Sequence, residues 1–493
     1  MSPTIILITI IIYFAILFII SYFTGKNANN ETFFVGNKKS PWFVVAFGMV
    51  GASLSGVTFI SVPGWVGTSS FSYLQLVLGY LLGYFFIAKI LLPIYYNLNL
   101  TSIYTYLEKR FGYYSYKTGA SFFLLSRSIG AAFRLFIVAN VLQLVVFDYW
   151  HIPFIVTVSL TILLIWLYTF RGGIKTIVWT DTLQTLFMLL AVGFAIYYIS
   201  SSLNFNFHEM VNAVADSKLS KTWFFGDWHD KRNFFKQFFS GAFITIVMTG
   251  LDQDMMQKNL SCKNLKDAQK NMYWYGFAFL PANILFMSLG VLLYIFASKN
   301  GIAIPAHTDD LFPIIATKGY LHPVVGIFFI LGLIAAAYSS ADSALTALTT
   351  SFTIDILDIR KKFKDEKKRK KVRIQVHICV SIALGILIML FKAINNQNVI
   401  SAIFTVAGYT YGPLLGMYAF GLFTNYNLKD KLVPYIAIVS PLICLIINHF
   451  SEFWFNGYQF GFELLMLNGL ITFIGLFFIK KKNTDTKLKY KHN

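Results

Sequence analysis

Segment 336–350 reads AAYSSADSALTALTT and sits inside an apolar run from about 324 to 356. A helix crosses a bilayer with roughly 20 apolar residues. This run is long enough, yet it carries Ser339, Ser340, Asp342, Ser343, Thr346, Thr349 and Thr350. Oxygens at hydrocarbon depth are unfavourable unless they meet another helix, a cavity or an ion. Hydroxyls and carbonyls are hard ligands, the kind a small hard cation accepts in place of water. One reading is therefore a cation site. The other is packing: serine and threonine bond back to their own helix carbonyls, and small residues let helices approach closely. Asp342 favours the cation reading, because a carboxylate inside a membrane is a functional group by default.

Four further places carry polar chemistry at depth. In 42–66, Gly48, Gly51, Gly56 and Gly64 interleave with Ser53, Ser55, Thr58 and Ser61. Glycine disfavours a helix interior by about 1 kcal/mol relative to alanine, so a break is expected near residues 51–56. Broken backbone is tolerated at bilayer depth only where it lines a cavity or binds something. Gly48-x-x-Gly51 also fits a close helix-packing face. In the span after Thr118, Arg127 and Arg134 lie two helical turns apart, on one face with Gly130 and Ala131. A guanidinium at mid-depth suits bidentate contact with a solute carboxylate, or it pairs with a helix carboxylate such as Asp342. Asp181 falls about two turns beyond the Arg171-Gly172-Gly173 turn and requires a cationic or hydrogen-bonding partner. Asp252, Gln253 and Asp254 end another span, as a gate network or as solvated polarity at a helix end.

The elements that must hold these groups follow from composition. The 493 residues are 56% hydrophobic and 13% charged, which places the chain among polytopic membrane proteins. Thirteen spans are expected, at about 3–23, 42–66, 73–96, 119–147, 153–170, 175–200, 235–256, 271–297, 323–356, 374–392, 398–424, 432–450 and 461–479. The first follows Met1-Ser2-Pro3 with no basic n-region and no cleavage site, so it reads as a retained helix. The net charge of +19 points to a membrane surface and not to nucleic acid, because of where Lys and Arg fall. With the N-terminus outside, the inner loops and their flanks hold 30 of the 41 basic residues and the outer ones 8. That asymmetry predicts a multi-pass cell (inner) membrane protein with its N-terminus outside and its C-terminus cytoplasmic. Lys89, Arg127 and Arg134 are the three basic residues left within spans. Cys262, Cys379 and Cys444 form no disulfide or CxxC pattern, and no phosphate-binding loop or HExxH is present. Whatever work the chain does draws on something other than ATP bound to itself.

Three motifs now carry a resemblance. GGIKTIVWTDTLQ opens the sixth span, GLDQDMMQ ends the seventh, and AAYSSADSALTALTTSFTIDI fills the ninth. Together with span number and topology they resemble the sodium/solute symporter family, which includes bacterial sodium-coupled proline, galactose and sialic acid transporters. The resemblance covers essentially the whole chain. It implies an all-α fold with a leucine-transporter-type core of two inverted five-helix repeats. The expected divisions are a leading helix (3–23), a first repeat (42–200), a second repeat (235–424), two C-terminal helices (432–479) and a cytoplasmic basic tail (480–493).

Carried over residue by residue, the family's sodium site implies the carbonyls of Gly51, Leu54 and Ala336 and the hydroxyls of Ser339 and Ser340. Asp181 matches an aspartate that supports a second cation in some relatives, here with Asp342 and Ser343. Ala336 departs from members that have a hydroxyl there, and Asp342 adds a carboxylate where many are neutral. Solute is implied between spans 2, 3, 4 and 7, which nominates Ser53, Ser55, Thr58, Gln75, Arg127 and Arg134. The reading is a Na⁺-coupled symporter importing a small organic solute, anionic, zwitterionic or a sugar, in a bilayer, for which a monomer is sufficient. A proton-coupled symporter and a transporter-like nutrient sensor are the alternatives.

Overall fold

A computed structural model describes residues 3–26, 28–394 and 399–481. Most of the basic tail expected at 480–493 lies outside them, as does residue 398 at the start of the eleventh expected span. The principal helices are α1 (Pro3–Gly25), α2 (Trp42–Leu54), α3 (Gly56–Ser69), α4 (Tyr73–Phe86), α5 (Tyr113–Leu142), α6 (Phe154–Thr169), α7 (Ile174–Ser202) and α8 (Phe234–Thr245). They continue as α9 (Gln253–Leu260), α10 (Leu265–Lys299), α11 (Pro323–Ser351), α12 (Glu366–Ile394), α13 (Val399–Thr410), α14 (Gly412–Phe423), α15 (Val433–His449) and α16 (Leu464–Phe478). The one sheet among the described residues is a two-residue antiparallel pairing of Asn427–Leu428 with Lys480–Lys481.

Among the described residues, eight helices are long and apolar enough to cross a membrane. The pair Phe234–Gly250 and Gln253–Leu260, bent by 64°, makes a ninth. Four shorter apolar helices, Trp42–Leu54, Phe154–Thr169, Gly412–Phe423 and Leu464–Phe478, fall inside expected spans.

The centre of the bundle is α11. Every residue in 332–351 is buried, so the helix meets protein on all sides. It packs on α7, α5 and α3, and α7 packs in turn on α2. Small residues make that closeness achievable. A Cβ at Gly51 would lie 2.0 Å from Thr185 Oγ1, and one at Gly48 would lie 3.0 Å from Asp181 Cβ. The glycines of 42–66 therefore serve both readings taken from the sequence: Gly48 and Gly51 pack on α7, and the helix also breaks.

The break falls at Ser55, whose φ of 23° and ψ of 167° are non-helical. A positive φ is strained for a residue bearing a Cβ and is sustained only when its surroundings fix it. The second break follows a π turn at Ile246–Gly250, where Asp252 caps α9 by accepting the amide of Asp254 at 2.8 Å. On the face of loops 204–236 and 301–320, called the loop face below, α11 is preceded by the short helix Leu311–Thr317. Thr308 beside it presses so closely on Gly64 that a Cβ there would lie 2.3 Å from its carbonyl oxygen. The opposite face carries the basic segment 360–373 and is called the basic face.

Candidate functional site

The break in the second span faces the hydroxyl-rich turn of α11. A Cβ at Gly56 would lie 3.9 Å from Ala337, next to Ala336. Ser340 Oγ donates to the carbonyl of Ala52 at 3.3 Å, so one side chain of α11 already touches the end of α2. Gly51 keeps its carbonyl on the amide of Ser55 at 3.2 Å, and Leu54 closes α2 fully buried. Ala336, Ser339 and Ser340 are buried opposite. The five residues named for a sodium site thus flank one junction. The Ala52 carbonyl joins them, a group that sequence reasoning did not nominate.

Ser339 connects this junction to a charged cluster. Its Oγ donates to Asp181 Oδ1 at 2.7 Å, and Asp181 Oδ2 lies 2.7 Å from Lys258 Nζ. All three side chains are fully buried or nearly so. Lys258 supplies the partner that Asp181 required. The sequence hides it, because beyond the bend at Gly250 the chain reads as a basic loop in which Lys258 belongs to the inner charge. Asp342 pairs with neither arginine, which corrects that branch of the reading: Tyr168 donates to its Oδ2 at 2.8 Å and Ser343 to its Oδ1 at 3.3 Å. The arginines are held elsewhere by α5, facing α9 and Tyr411.

A cavity of about 110 Å³ opens beside the break, lined by Ser53, Ser55, Thr58, Arg127 and Arg134 together with Tyr73, Tyr80, Tyr84, Thr245, Thr249, Tyr275 and Phe404. Five of the six nominated solute residues meet here. Gln75 does not, and that nomination is corrected. Its amide donates to the carbonyls of Ser72 and Arg232 and its Oε1 accepts the Phe224 amide, so it holds the 204–236 segment onto α4. Burial within a span did not reveal which way Gln75 points. The tyrosines were missed because aromatic residues saturate this sequence. The hydrogen bonds of Tyr275 to Ser53 (2.5 Å) and Tyr84 (2.9 Å) mark it as part of the wall.

The two arginines differ. Arg127 is buried in an ion pair with Asp254. The Nε of each is buried without a hydrogen-bond partner, but Arg134 makes no ion pair among the described residues. A guanidinium in that condition is suited to a carboxylate.

Asp252, Gln253 and Asp254 are buried, which removes the reading of solvated helix-end polarity. Tyr411 of the α13–α14 junction donates to Asp252 at 2.5 Å. Gln253 accepts the Ile103 amide and donates to the Thr101 carbonyl, each at 2.9 Å. Gln257 donates to the carbonyl of Phe34 and the hydroxyl of Thr350. These bonds stitch α9 to four other segments and close the basic face under the small cavity.

On the loop face lies a cavity of about 1070 Å³, whose walls include Trp65, Phe136, Asp230, Arg232, Asp309 and Thr405. Thr405 is next in sequence to Phe404 of the small cavity, so the two spaces are neighbours. Burial holds the Asp309 carboxyl above the usual carboxylate range. The hydrogen bond from Arg232 holds the Asp230 carboxyl below it.

The sequence model of the sodium:solute symporter family matches residues 33–428. The chain is 25% identical over 471 residues to the sodium/sialic acid symporter NanT of Aliivibrio fischeri, covering 92% of this chain and 89% of the relative. It is equally similar, at 25% over 469 residues, to the sodium/sialic acid symporter SiaT of Proteus mirabilis, with 93% and 92% covered. A solved structure of a substrate-bound, outward-open Na⁺-coupled sialic acid symporter superposes with a TM-score of 0.82 at 21% identity, covering 97% of this chain and 99% of that one. That likeness establishes a shared, mostly helical fold.

Proposed function

The chain belongs to the sodium:solute symporter family, and from that premise we propose that it imports a small organic solute bearing a carboxylate, with Arg134 as the group that binds it. It is a multi-pass membrane transporter whose coupling ion is Na⁺. The observation that carries the anionic reading is the contrast, in one small cavity, between Arg127, paired with Asp254, and Arg134, which makes no ion pair among the described residues. Sialic acid, which both bacterial relatives are named for, is the first solute to try.

Na⁺ takes the carbonyls of Gly51, Leu54 and Ala336 and the hydroxyls of Ser339 and Ser340, with Ala52 adjacent. Every one of these ligands is neutral, which suits weak and reversible binding. The ion bridges α2 and α11 at the break and so fixes the backbone that also forms one wall of the solute cavity. Ser53, Ser55 and Thr58 come from that same wall, which is why ion and solute favour each other's binding; such coupling is reciprocal in free energy. Each ligand shifts the protein between states only through its differential affinity for them.

The thirteen expected crossings, the two inverted repeats at 42–200 and 235–424 and the N-out, C-in orientation complete this reading. The positive-inside asymmetry supports the orientation, and the helix breaks at Ser55 and Gly250 support paired half-helices in the two repeats. The loop face is then extracellular. Solute enters through the large cavity, and the network on Asp252, Gln253 and Asp254 is the cytoplasmic gate that parts when the site turns inward.

The test is uptake into proteoliposomes holding the purified chain, with sialic acid and small carboxylates offered under an inward Na⁺ gradient. The proposal expects Na⁺-driven accumulation that Arg134→Ala abolishes. Accumulation of a neutral sugar unaffected by Arg134→Ala contradicts it.

A further inference from the structure

A third concave surface lies away from the ion and solute residues, on the outside of the bundle where α6 and α12 run side by side. A groove of about 790 Å³ follows the two helices from Ile155 and Leu390 at the loop-face end to Trp166 and Ile378 at the basic-face end. Ser159, Ser381 and the Trp166 indole are the only polar side chains on its wall, and Ile382 and Ile386 are more than half exposed. Gly385 keeps the groove open: a Cβ there would lie 3.2 Å from Ile162 Cδ1. From Ile378 to Leu390 a helix rises about 18 Å. Half of a bilayer's hydrocarbon core is about 15 Å thick, so the groove has the length of one acyl chain.

The basic-face end is cationic. Lys371 and Lys367 precede Ile378 by seven and eleven residues, two and three helical turns, and so share its face of α12. Both are exposed, and neither makes an ion pair among the described residues. Arg171 lies over the Phe170 ring, 5.2 Å from its centroid, and Phe170 stacks on Trp166. The neighbouring carboxylates are engaged. Asp365 accepts the Lys367 amide at 2.9 Å, and Glu366 accepts from Asn30 and pairs with Arg369 at 3.6 Å. Buried Arg373 donates to the Phe170 carbonyl at 3.2 Å, while its Nη1 and the Trp166 Nε1 have no hydrogen-bond partner. This end therefore gathers more positive charge than its own carboxylates neutralise. At the opposite end Lys392 is engaged by the Phe154 ring, 4.0 Å from its centroid.

We propose that the α6–α12 groove is a site for an anionic phospholipid, with one acyl chain lying along Gly385 and the phosphate headgroup held by Lys367, Lys371 and Arg171 on the basic face. Basic clusters beside membrane helices attract anionic headgroups, and the apolar groove adds a seat for the chain. Both helices also pack on α11, so the seated lipid braces the helix at the centre of the bundle.

The experiment uses the purified full-length chain in phosphatidylcholine nanodiscs, into which phosphatidylglycerol or phosphatidylcholine with brominated acyl chains is titrated. Bromine quenches indole fluorescence at contact, and the quenching lost on Trp166→Phe reports the basic-face end of the groove. Brominated phosphatidylglycerol is expected to half-quench that component at about tenfold lower mole fraction than brominated phosphatidylcholine. Lys367→Gln combined with Lys371→Gln, both at exposed positions, is expected to remove the preference, and Gly385→Leu to remove quenching by either lipid. Equal quenching by the two lipids in wild type, a preference that survives the lysine substitutions, or quenching that Gly385→Leu leaves intact overturns the proposal. Should Gly385→Leu not remain folded, the lysine substitutions decide alone. A Trp166 component that neither lipid quenches also overturns it, and a dimeric mass would then assign the groove to a second copy of the chain.

Discussion

The two faces of the bundle handle charge in opposite ways. On the basic face, Arg127 and Asp254 meet out of water, and Asp252, Gln253 and Gln257 spend their hydrogen-bonding capacity on neighbouring segments. On the loop face, Arg232 and Asp230 meet at the edge of a cavity of about 1070 Å³, with 39% and 23% of their side chains exposed. The same pair of residue types is a seal in one place and a solvated rim in the other. The structure is therefore closed towards the basic segment and open towards the loops. Losing one partner is costly in the buried pair and cheap in the exposed one.

Breaking that contrast gives the largest expected effect. Asp254→Ala strands the Arg127 guanidinium in the interior, and removing one partner of a buried pair costs roughly 3–5 kcal/mol. The expected result is a matching loss of stability in denaturant titration, with Cys262, now buried, becoming reactive to maleimide from the basic face in a Cys379→Ser background. Unchanged stability would show that the network is not a seal.

The next effect belongs to the cavity between the faces. Truncating Arg134 removes one side of a desolvated ion pair with the solute, a loss of about 2–5 kcal/mol. Carboxylate uptake at fixed solute is expected to fall at least thirtyfold, with Na⁺ binding retained. Ser340→Ala, which removes one of five proposed ion ligands, is expected to raise the Na⁺ for half-maximal uptake about tenfold, on the order of 1.4 kcal/mol.

The smallest effect sharpens the comparison from the other side. Arg232→Ala breaks an exposed pair, and such pairs contribute about 0–1 kcal/mol. Because Arg232 depresses the Asp230 carboxyl, the contribution is present above the ordinary aspartate value of about 3.9 and is lost as pH falls through the lower folded value. Stability against pH should therefore differ between wild type and Arg232→Ala above that range and converge below it. A difference as large as that of Asp254→Ala would erase the distinction between the two faces.

Much of this arrangement could be read from the chain. Hydroxyls in 336–350 and glycines in 42–66 pointed to a junction because both are out of place in a membrane helix, and Ser340 does reach the end of α2. Arg127 and Arg134 shared a face as their spacing required, and both line the cavity. What spacing cannot give is direction across the bundle. Gln75 is as buried as a site residue but turns to loop 204–236. Asp342 turns to Tyr168, on a helix 174 residues away in sequence. Lys258 was hidden by the bend at Gly250, since a helix that changes axis by 64° carries its next turn back into the core while its sequence looks like a loop.

Thermal unfolding of the purified protein with sialic acid and small carboxylates, in Na⁺ or in K⁺, tests the central claim most directly. A ligand that binds only the native state raises apparent stability by mass action. A carboxylate solute is expected to give a stabilising shift that appears in Na⁺, is absent in K⁺ and is lost in Arg134→Ala. An equal shift in K⁺, or one that survives Arg134→Ala, would contradict a shared site for ion and solute at the broken helix.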